Sequence, residues 1–317
     1  SGEKNSMVTN YAFALRFLTH STQLGWKTEA VKECGLCCLS NCFSPMFLPR
    51  PSRFRRLFLP FLLLPVLAGL AWYSGYLERT AYQWMIRSAD NSGKNLGLEA
   101  YQVSIDALPI AGINSNASGL TWHPGRNSLF AVINQPAQVV ELSPDGVLKR
   151  TIPVSGLADL EGITHVRGNE FFLADERTQQ LIHVEIADDQ ARVETNGRPR
   201  VGLVLDQANN LGFEGISWDH VHDRLYVVKE KRPLRLSELE GLLKQIDHQQ
   251  LDLQIREWFP RGSMSLLLRD LSSLTYHEAS GNMLLLSDES RLVVELDAER
   301  RPAGLLVLQQ GWHGLKK

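Results

Sequence analysis

The chain has 317 residues, a formal net charge of −2 and 44% hydrophobic residues. This length allows one large domain or two small ones, and the hydrophobic content is typical of a globular protein with a core. A nucleic-acid-binding protein usually carries a basic face or stripe. The near-neutral balance therefore argues against nucleic acid as a partner.

Residues 1–45 read as an irregular N-terminal extension. All four cysteines lie there, at Cys34, Cys37, Cys38 and Cys42. Their spacing lacks the paired CxxC and HxxxH pattern of structural zinc sites, so a metal site is not favoured here. Met46 directly precedes a basic stretch, which is where a protein with a signal anchor is expected to start.

Residues 46–80 read as a basic flank followed by a transmembrane signal anchor. Leu57–Leu77 contains no charged residue, and about 20 apolar residues suffice to cross a bilayer as a helix. Arginines precede it at positions 50, 53, 55 and 56, which predicts a single-pass anchor with a cytoplasmic N-terminus. The alternative is a signal peptide cleaved after Ala68-Gly-Leu-Ala71, a poor cleavage site followed by Trp72. Residues 81–98 are predicted to form a linker.

A short phrase recurs four times in the rest of the chain. The copies are Ser118-Gly-Leu-Thr121, Glu161-Gly-Ile-Thr164, Glu214-Gly-Ile-Ser217 and Ser272-Ser-Leu-Thr275. They are spaced about 43, 53 and 58 residues apart, and each is followed by a turn and an apolar run, as expected for the blades of a β-propeller. We therefore predict an all-β fold, a β-propeller domain over residues 99–317, with four full repeats present.

Local patterns predict most of the strands and one helix. Ser143-Pro-Asp-Gly146 is strong turn chemistry, and it separates two apolar runs of the first repeat. Ser237–His248 has apolar residues on a helical period and is predicted as a helical insertion. Tyr101–Ile105 alternates and is predicted as a lone strand that completes a blade built by the other end of the chain. That lone strand and the end of the chain after the fourth repeat favour about five blades, with the C-terminal repeat apparently missing.

These repeats resemble the SdiA-regulated (YjiK-like) family. The resemblance rests on the phrases beginning at Ser118, Leu160 and Phe213, each read together with the strand that follows, and it extends over about Leu57 to Lys317. It implies a bacterial envelope protein with an N-terminal membrane segment, a five-bladed propeller and bound calcium. The expected location is the inner membrane, with the propeller in the periplasm.

Acidic residues recur at matched positions of the repeats. The inner strand of a blade opens with a glutamate in two repeats, and the second strand closes with an acidic pair or its equivalent. Both positions should converge at one mouth of the channel, where several carboxylates repel one another unless a cation neutralises them. Oxygen ligands without histidine or cysteine favour Ca²⁺ or Mg²⁺. The predicted metal ligands are Glu161, Glu214, Asp175, Glu176, Glu230 and Glu289. The alternative is that these acids form salt bridges with Arg177, Lys229, Lys231 and Arg291.

Two functions follow as hypotheses. The first is a binding or interaction module for a small anionic ligand or an envelope protein, and the lack of a recognisable nucleophile or histidine-based acid–base pair favours it. The second is a calcium-dependent hydrolase of phosphoesters or lactones, an analogy that rests on the fold alone. His123, His165 and His277 fall at the far ends of inner strands and are interpreted as turn residues, as are His220 and His222. Trp122, Trp218 and Tyr276 share one matched position and are interpreted as packing between blades.

Overall fold

In a computed structural model the described residues are 64–66, 69, 75–88, 95–105, 108–113, 116–203, 213–230, 234–248, 253–258 and 267–309. The chain divides into two compact units, Ser1–Ser21 with Glu78–Lys317, and Thr22–Leu77. In the second unit, residues 64–66 and 69 are helical. The predicted extension over 1–45 with its cysteines, and most of Leu57–Leu77, lie outside the described residues. No helix in the part of the chain that is described is long and apolar enough to cross a membrane.

The described residues contain seventeen strands in four sheets, which are blades of the propeller. Blade 1 contains β1 (Ala117–His123), β2 (Ser128–Ile133), β3 (Gln138–Leu142), β4 (Leu148–Ser155) and β8 (Val193–Glu194). Blade 2 contains β5 (Leu160–Arg167), β6 (Glu170–Asp175), β7 (Gln180–Glu185) and β9 (Arg200–Gly202). Blade 3 contains β10 (Phe213–Asp219), β11 (Arg224–Lys229), β12 (Arg235–Glu240) and β13 (Gln254–Glu257). Blade 4 contains β14 (Ser273–His277), β15 (Asn282–Ser287), β16 (Leu292–Leu296) and β17 (Pro302–Val307).

The β-propeller prediction is confirmed, with four blades in the described residues. Within each blade the strands follow chain order and pair antiparallel, except that β8 joins β4 in parallel. The apolar faces of neighbouring blades pack on each other, as Phe130 of blade 1 does on Phe171 of blade 2, with ring centroids 5.0 Å apart. A fifth blade stays a prediction.

The recurring phrase has a structural reason at its second position. A Cβ on Gly119 would lie 2.8 Å from the backbone nitrogen of Ile163, and one on Gly215 would lie 2.9 Å from Cα of Ser273. No side chain fits between strands this close, so glycine allows the inner strand of one blade to approach the backbone of the next. Blade 4 carries Ser273 at the matched position.

The fourth position of the phrase links the blades by hydrogen bonds. The hydroxyl of Thr121 accepts the N–H of His165, that of Thr164 accepts the N–H of Trp218, and that of Ser217 accepts the N–H of Tyr276, each at 3.0 Å. A β-branched or small hydroxyl residue is therefore needed here to give the neighbouring strand an acceptor. These bonds hold the inner strands β1, β5, β10 and β14 in one register, with matched residues at the same level of the channel.

Two sequence predictions about secondary structure were wrong. Residues 101–105 form no strand, and the segment before them, Leu98–Ala100, is a short 3₁₀ helix whose Leu98 is buried against blade 4. The proposed helix over Ser237–His248 is half strand: β12 runs to Glu240 and pairs with β11, and helix α2 spans Leu242–His248. Gly241, with φ of 90°, separates the two.

A helix also occupies the region predicted to end the anchor and begin the linker. It is α1 (Tyr76–Ser88), with Glu78 in its first turn and Arg87 in its last, an arrangement that suits the helix dipole. Tyr82 is buried in the core between blades 3 and 4, and its hydroxyl accepts the N–H of Leu267 at 3.0 Å. Burial raises the pKa of this phenol well above its usual range. Residues 81–88 are thus an integral part of the propeller unit.

Candidate functional site

One end of the propeller is acidic because inner strands begin there and second strands end there. In blade 2, Leu160 at the start of β5 pairs with Asp175 at the end of β6, so Glu161 and Glu176 are brought to the same edge. We call this edge the acidic end, defined by Asn134, Asp159, Glu161 and Glu176. The predicted convergence of the two matched acidic positions is confirmed in this blade.

Three carboxylates form a compact group at the acidic end. Asp159, Glu161 and Glu176 each place one carboxylate oxygen within 4.8 Å of the others, and all three side chains are half-buried. Glu161 and Glu176 were predicted as ligands, whereas Asp159 was missed. A signal for it existed, because Asp159 stands two residues before Glu161 and Asp270 stands two residues before Ser272 in blade 4.

Asn134 of blade 1 reaches across to these acids of blade 2. Its Nδ2 donates to Glu161 Oε1 at 2.7 Å and also to Asp159 Oδ1. Its Oδ1 is buried without a hydrogen-bond partner among the described residues. Arg177 Nη2 lies 3.4 Å from Asp159 Oδ2, but the Arg177 side chain is 64% exposed. The neutral amide of Asn134 and the solvated guanidinium of Arg177 thus contact two of the three carboxylates, those of Asp159 and Glu161.

Asp175, another predicted ligand, holds the loop that carries Asp159. Its buried carboxylate accepts the backbone N–H groups of Ala158 and Asp159 at 3.0 and 3.1 Å, and that of Thr178 at 3.5 Å. The lone pairs of this carboxylate are therefore used within the blade. Asp175 positions the acidic end and does not join its carboxylate group.

The other three predicted ligands lie in blades 3 and 4. Glu214 is buried in β10, and Glu230 follows β11 with its carbonyl accepting the N–H of Leu271 at 3.1 Å. Glu289 follows β15, is exposed, and donates its backbone N–H to Asp270. None of them joins the group around Asp159 within the described residues.

Strand register also changes the match between blades 2 and 4. Gly162 pairs with Ala174 in blade 2, and Ser273 at the equivalent position pairs with Leu286 in blade 4. Ala174 of blade 2 therefore matches Leu286 of blade 4, and two residues after each of them Glu176 matches Asp288. Glu289 corresponds to Arg177, one residue beyond the acidic position.

The opposite ends of the inner strands carry a cluster of histidines. The ring centroids of His123 and His165 are 4.3 Å apart, and those of His165 and His220 are 5.5 Å apart. Burial and the neighbouring His123 and His220 lower the pKa of His165 to about 4. Burial, reinforced by Arg126, also lowers the pKa of His123. We call this edge the histidine end, defined by His123, His165, His220 and Glu278.

The turn interpretation holds for three of the five histidines and is incomplete for the other two. His123 Nδ1 accepts the N–H of Arg126, His277 Nδ1 contacts the Ser280 hydroxyl and His222 Nδ1 contacts the Asp219 carboxylate, so all three stabilise turns. His165 and His220 instead contact each other from neighbouring blades. Sequence inspection could not find this pair, because the two residues occupy different positions of the repeat.

A cavity of about 690 Å³ lies along the inner strands near the histidine end. Its wall includes hydroxyl and aromatic residues from successive blades, and its rim includes His220 and Glu278. The matched residues at the wall are Thr121, Trp122, Thr164, Ser217, Trp218, Thr275 and Tyr276. Two of the three aromatic residues also pack between blades, as predicted: Trp218 contacts Phe172 at 5.7 Å and Tyr276 contacts Tyr226 at 5.0 Å between ring centroids. Trp122 packs against the core of its own blade.

Fold and site together define a β-propeller with an acidic end and a channel cavity. A family model described as SdiA-regulated matches residues 93–317. The chain therefore belongs to the SdiA-regulated family, as its repeats indicated.

Three solved structures resemble the chain at low identity. The one described as a nidogen/laminin complex is 16% identical, with a TM-score of 0.43, over 61% of this chain and 65% of that chain. A streptogramin B lyase is 11% identical, with a TM-score of 0.38, over 67% of this chain and 58% of that one. The virginiamycin B lyase from Staphylococcus aureus is 9% identical, with a TM-score of 0.38, over 64% and 59%. The chain thus spans less than two thirds of the length of each of these structures.

Proposed function

We propose that this protein is a cation-binding propeller that acts as a binding or interaction module. The observation that carries the proposal is the group of Asp159, Glu161 and Glu176, whose carboxylate oxygens lie within 4.8 Å of one another. At neutral pH such a group repels itself unless positive charge is supplied. Among the described residues, the Asn134 amide donates to Asp159 and Glu161, and the exposed guanidinium of Arg177 lies 3.4 Å from Asp159.

The ligand atoms favour a hard cation. Every donor in the group is a carboxylate oxygen, and Ca²⁺ and Mg²⁺ prefer oxygen ligands, whereas zinc and copper prefer nitrogen or sulfur. The acids come from a loop and from two strand ends, a mixture that suits the flexible coordination of Ca²⁺ better than the rigid octahedron of Mg²⁺. We therefore propose Ca²⁺ as the bound ion.

Asn134 offers a fourth oxygen without any backbone movement. A half-turn of its amide exchanges Nδ2 for Oδ1, the atom that has no hydrogen-bond partner among the described residues. In the cation-bound form this oxygen would point at the ion, and the ion would then join blade 1 to blade 2. The remaining coordination positions would be filled by water or by an acidic group of a ligand.

Anchoring at the bacterial inner membrane is the second part of the proposal. The charge-free run Leu57–Leu77 and the arginines before it support a single-pass anchor with a cytoplasmic N-terminus and a periplasmic propeller. In that position the acidic end would meet small anionic ligands or other envelope proteins. Fusion of alkaline phosphatase to the C-terminus tests the orientation, since this reporter is active only outside the cytoplasm.

The hydrolase alternative has one observation in its favour. Arg177 lies beside Asp159 and keeps most of its side chain exposed, so it could hold the anionic part of a phosphoester next to a bound cation. A panel of phosphoesters and lactones, run with and without Ca²⁺, separates the two functions. Turnover that requires both Ca²⁺ and Glu161 would favour the hydrolase over the binding module.

Calcium titration by calorimetry tests the central part of the proposal. We expect the wild-type chain to bind Ca²⁺ and Glu161→Gln to lose most of this affinity. Glu214→Gln is the matched control, because Glu214 opens the same phrase in blade 3 and lies outside the carboxylate group. If the wild-type chain gives no heat and no thermal shift with Ca²⁺, the cation proposal is wrong.

A further inference from the structure

Two histidines at the histidine end direct ring nitrogens at each other. His165 Nδ1 and His220 Nε2 lie 3.4 Å apart, and the two residues come from neighbouring blades. His165 is almost fully buried, whereas 40% of the His220 side chain is exposed. The pair is therefore accessible through His220, which lines the cavity.

The outer partners of both rings determine which nitrogens carry hydrogen. His165 Nε2 lies 3.0 Å from the carbonyl oxygen of Gly168, which can only accept, so Nε2 carries the hydrogen and Nδ1 keeps its lone pair. His220 Nδ1 lies 2.5 Å from a carboxylate oxygen of Glu278, which also accepts the His220 backbone N–H at 2.9 Å. His220 Nδ1 therefore carries the hydrogen, and Nε2 keeps its lone pair. In their neutral forms the two rings face each other through lone pairs.

An electron-pair acceptor is needed between two facing lone pairs. Zinc binds imidazole nitrogen at about 2.0–2.1 Å, and two such bonds at the tetrahedral angle place the nitrogens about 3.3–3.4 Å apart. The separation in this protein is 3.4 Å. We propose that His165 Nδ1 and His220 Nε2 form a two-histidine site for a transition-metal ion of the Zn²⁺ class.

The surroundings of the pair match those of metal-binding histidines. Such residues usually donate their other ring N–H to a carboxylate or a backbone carbonyl, which orients the ring and raises its basicity. His220 does so to Glu278 and His165 to Gly168. With two protein ligands, the other coordination positions remain open to water or to a donor atom of a molecule in the cavity.

A proton on His220 Nε2, shared with His165 Nδ1, is the alternative to a metal ion between the two rings. The contact of His165 Nε2 with the Gly168 carbonyl keeps the hydrogen of this ring on Nε2, so Nδ1 offers its lone pair to either occupant. The two occupants differ in outcome, because a metal ion must displace a shared proton before it can bind, which lowers the metal affinity.

Zinc titration of the full 317-residue chain without an affinity tag tests the proposal. Excess Ca²⁺ is present throughout to occupy the acidic end, and Co²⁺ serves as a spectroscopic probe of nitrogen coordination. We expect Zn²⁺ binding to be lost in His220→Gln and to weaken about tenfold in Glu278→Gln. His222→Gln is the matched control, because His222 also pairs with a carboxylate, Asp219 at 2.8 Å, on the same turn.

Nuclear magnetic resonance of the imidazole nitrogens provides a second measurement that needs no variant. On addition of Zn²⁺, the resonances of His165 Nδ1 and His220 Nε2 should shift while those of His222 stay in place. Equal Zn²⁺ affinity in the wild type and His220→Gln would overturn the proposal. So would a wild-type chain that binds no Zn²⁺ and whose His165 and His220 nitrogen resonances stay in place.

Discussion

Blades 2 and 4 carry the same aspartate two residues before the recurring phrase, yet the two carboxylates have opposite surroundings. Asp270 of blade 4 accepts the hydroxyls of Ser272, at 2.5 Å, and Ser287, and the N–H of Glu289 at 3.1 Å. Asp159 of blade 2 instead faces Glu161 and Glu176. The difference arises at two positions, where blade 2 has Glu161 and Asp175 and blade 4 has Ser272 and Ser287.

This comparison shows how one repeat serves two purposes. In blade 4 the aspartate is buried and its oxygens are satisfied by neutral donors, so it holds the strand ends together. In blade 2 the aspartate belongs to a group of three carboxylates whose oxygens lie within 4.8 Å of one another. A carboxylate position shared by the blades is therefore structural in one and a candidate ligand in the other.

Removing the structural aspartate should have the largest effect on stability. Asp270→Ala leaves two buried hydroxyls and one N–H without their acceptor, which costs about 2–4 kcal/mol of unfolding free energy. Urea unfolding in a chelator measures it. Asp145→Ala, in an exposed turn, is the control and should change stability by less than about 0.5 kcal/mol. A similar loss in both variants would contradict a structural role for Asp270.

Adding a fourth acid to blade 2 should produce the next largest effect. Asn134→Asp replaces the donor between Asp159 and Glu161 by another negative charge, and we expect a loss of about 1–2 kcal/mol without cation. Ca²⁺ should restore this loss, because an ion at 100 times its dissociation constant contributes about 2.7 kcal/mol. Melting temperatures in chelator and in Ca²⁺ give both values.

Asn134→Ala separates the two causes of that loss, since it removes the donor without adding charge. Its melting temperature should respond to Ca²⁺ less than that of Asn134→Asp. If Ca²⁺ fails to restore Asn134→Asp beyond its effect on the wild type, then the acidic end is not a cation site.

Neutralising the aspartate of blade 2 should have a small effect of the opposite sign. Asp159→Asn relieves repulsion within the acidic group, and we expect stability in chelator to rise by up to about 0.5 kcal/mol. The thermal shift caused by Ca²⁺ should disappear. A variant that retains the wild-type shift would show that Asp159 is not a ligand.

The smallest effect is expected at Glu289. Its contact with Asp270 is made by the backbone N–H, which Glu289→Gln keeps. Stability and Ca²⁺ affinity should therefore stay within about 0.5 kcal/mol of the wild type. Loss of Ca²⁺ binding in this variant would place the ion in blade 4 and reverse the assignment made from strand register.

Local sequence patterns were sufficient for most strands. Ser143-Pro-Asp-Gly146, predicted as a turn between two apolar runs, lies between β3 and β4 in the structure. Local patterns failed where one pattern fits two structures. Leu239, Leu242, Leu243 and Ile246 fit a helical period, but pairing with β11 extends strand structure to Glu240.

The sites depend on contacts that no local pattern reveals. Glu161 and Glu176 could be predicted because they occupy repeated positions of the blade. Asp159 acquires its role only when Asn134 of another blade packs beside it. The histidine pair joins residues 55 positions apart, through a contact set by the register of neighbouring blades.

Diffraction from crystals grown with Mn²⁺ in place of Ca²⁺ tests the acidic end most directly. Manganese is also an oxygen-preferring divalent cation, and its anomalous scattering locates it without ambiguity. The account predicts an anomalous peak among Asp159, Glu161 and Glu176, with the Asn134 amide turned to present its oxygen. An acidic end with no peak, and with Asn134 still donating to Glu161, would contradict it.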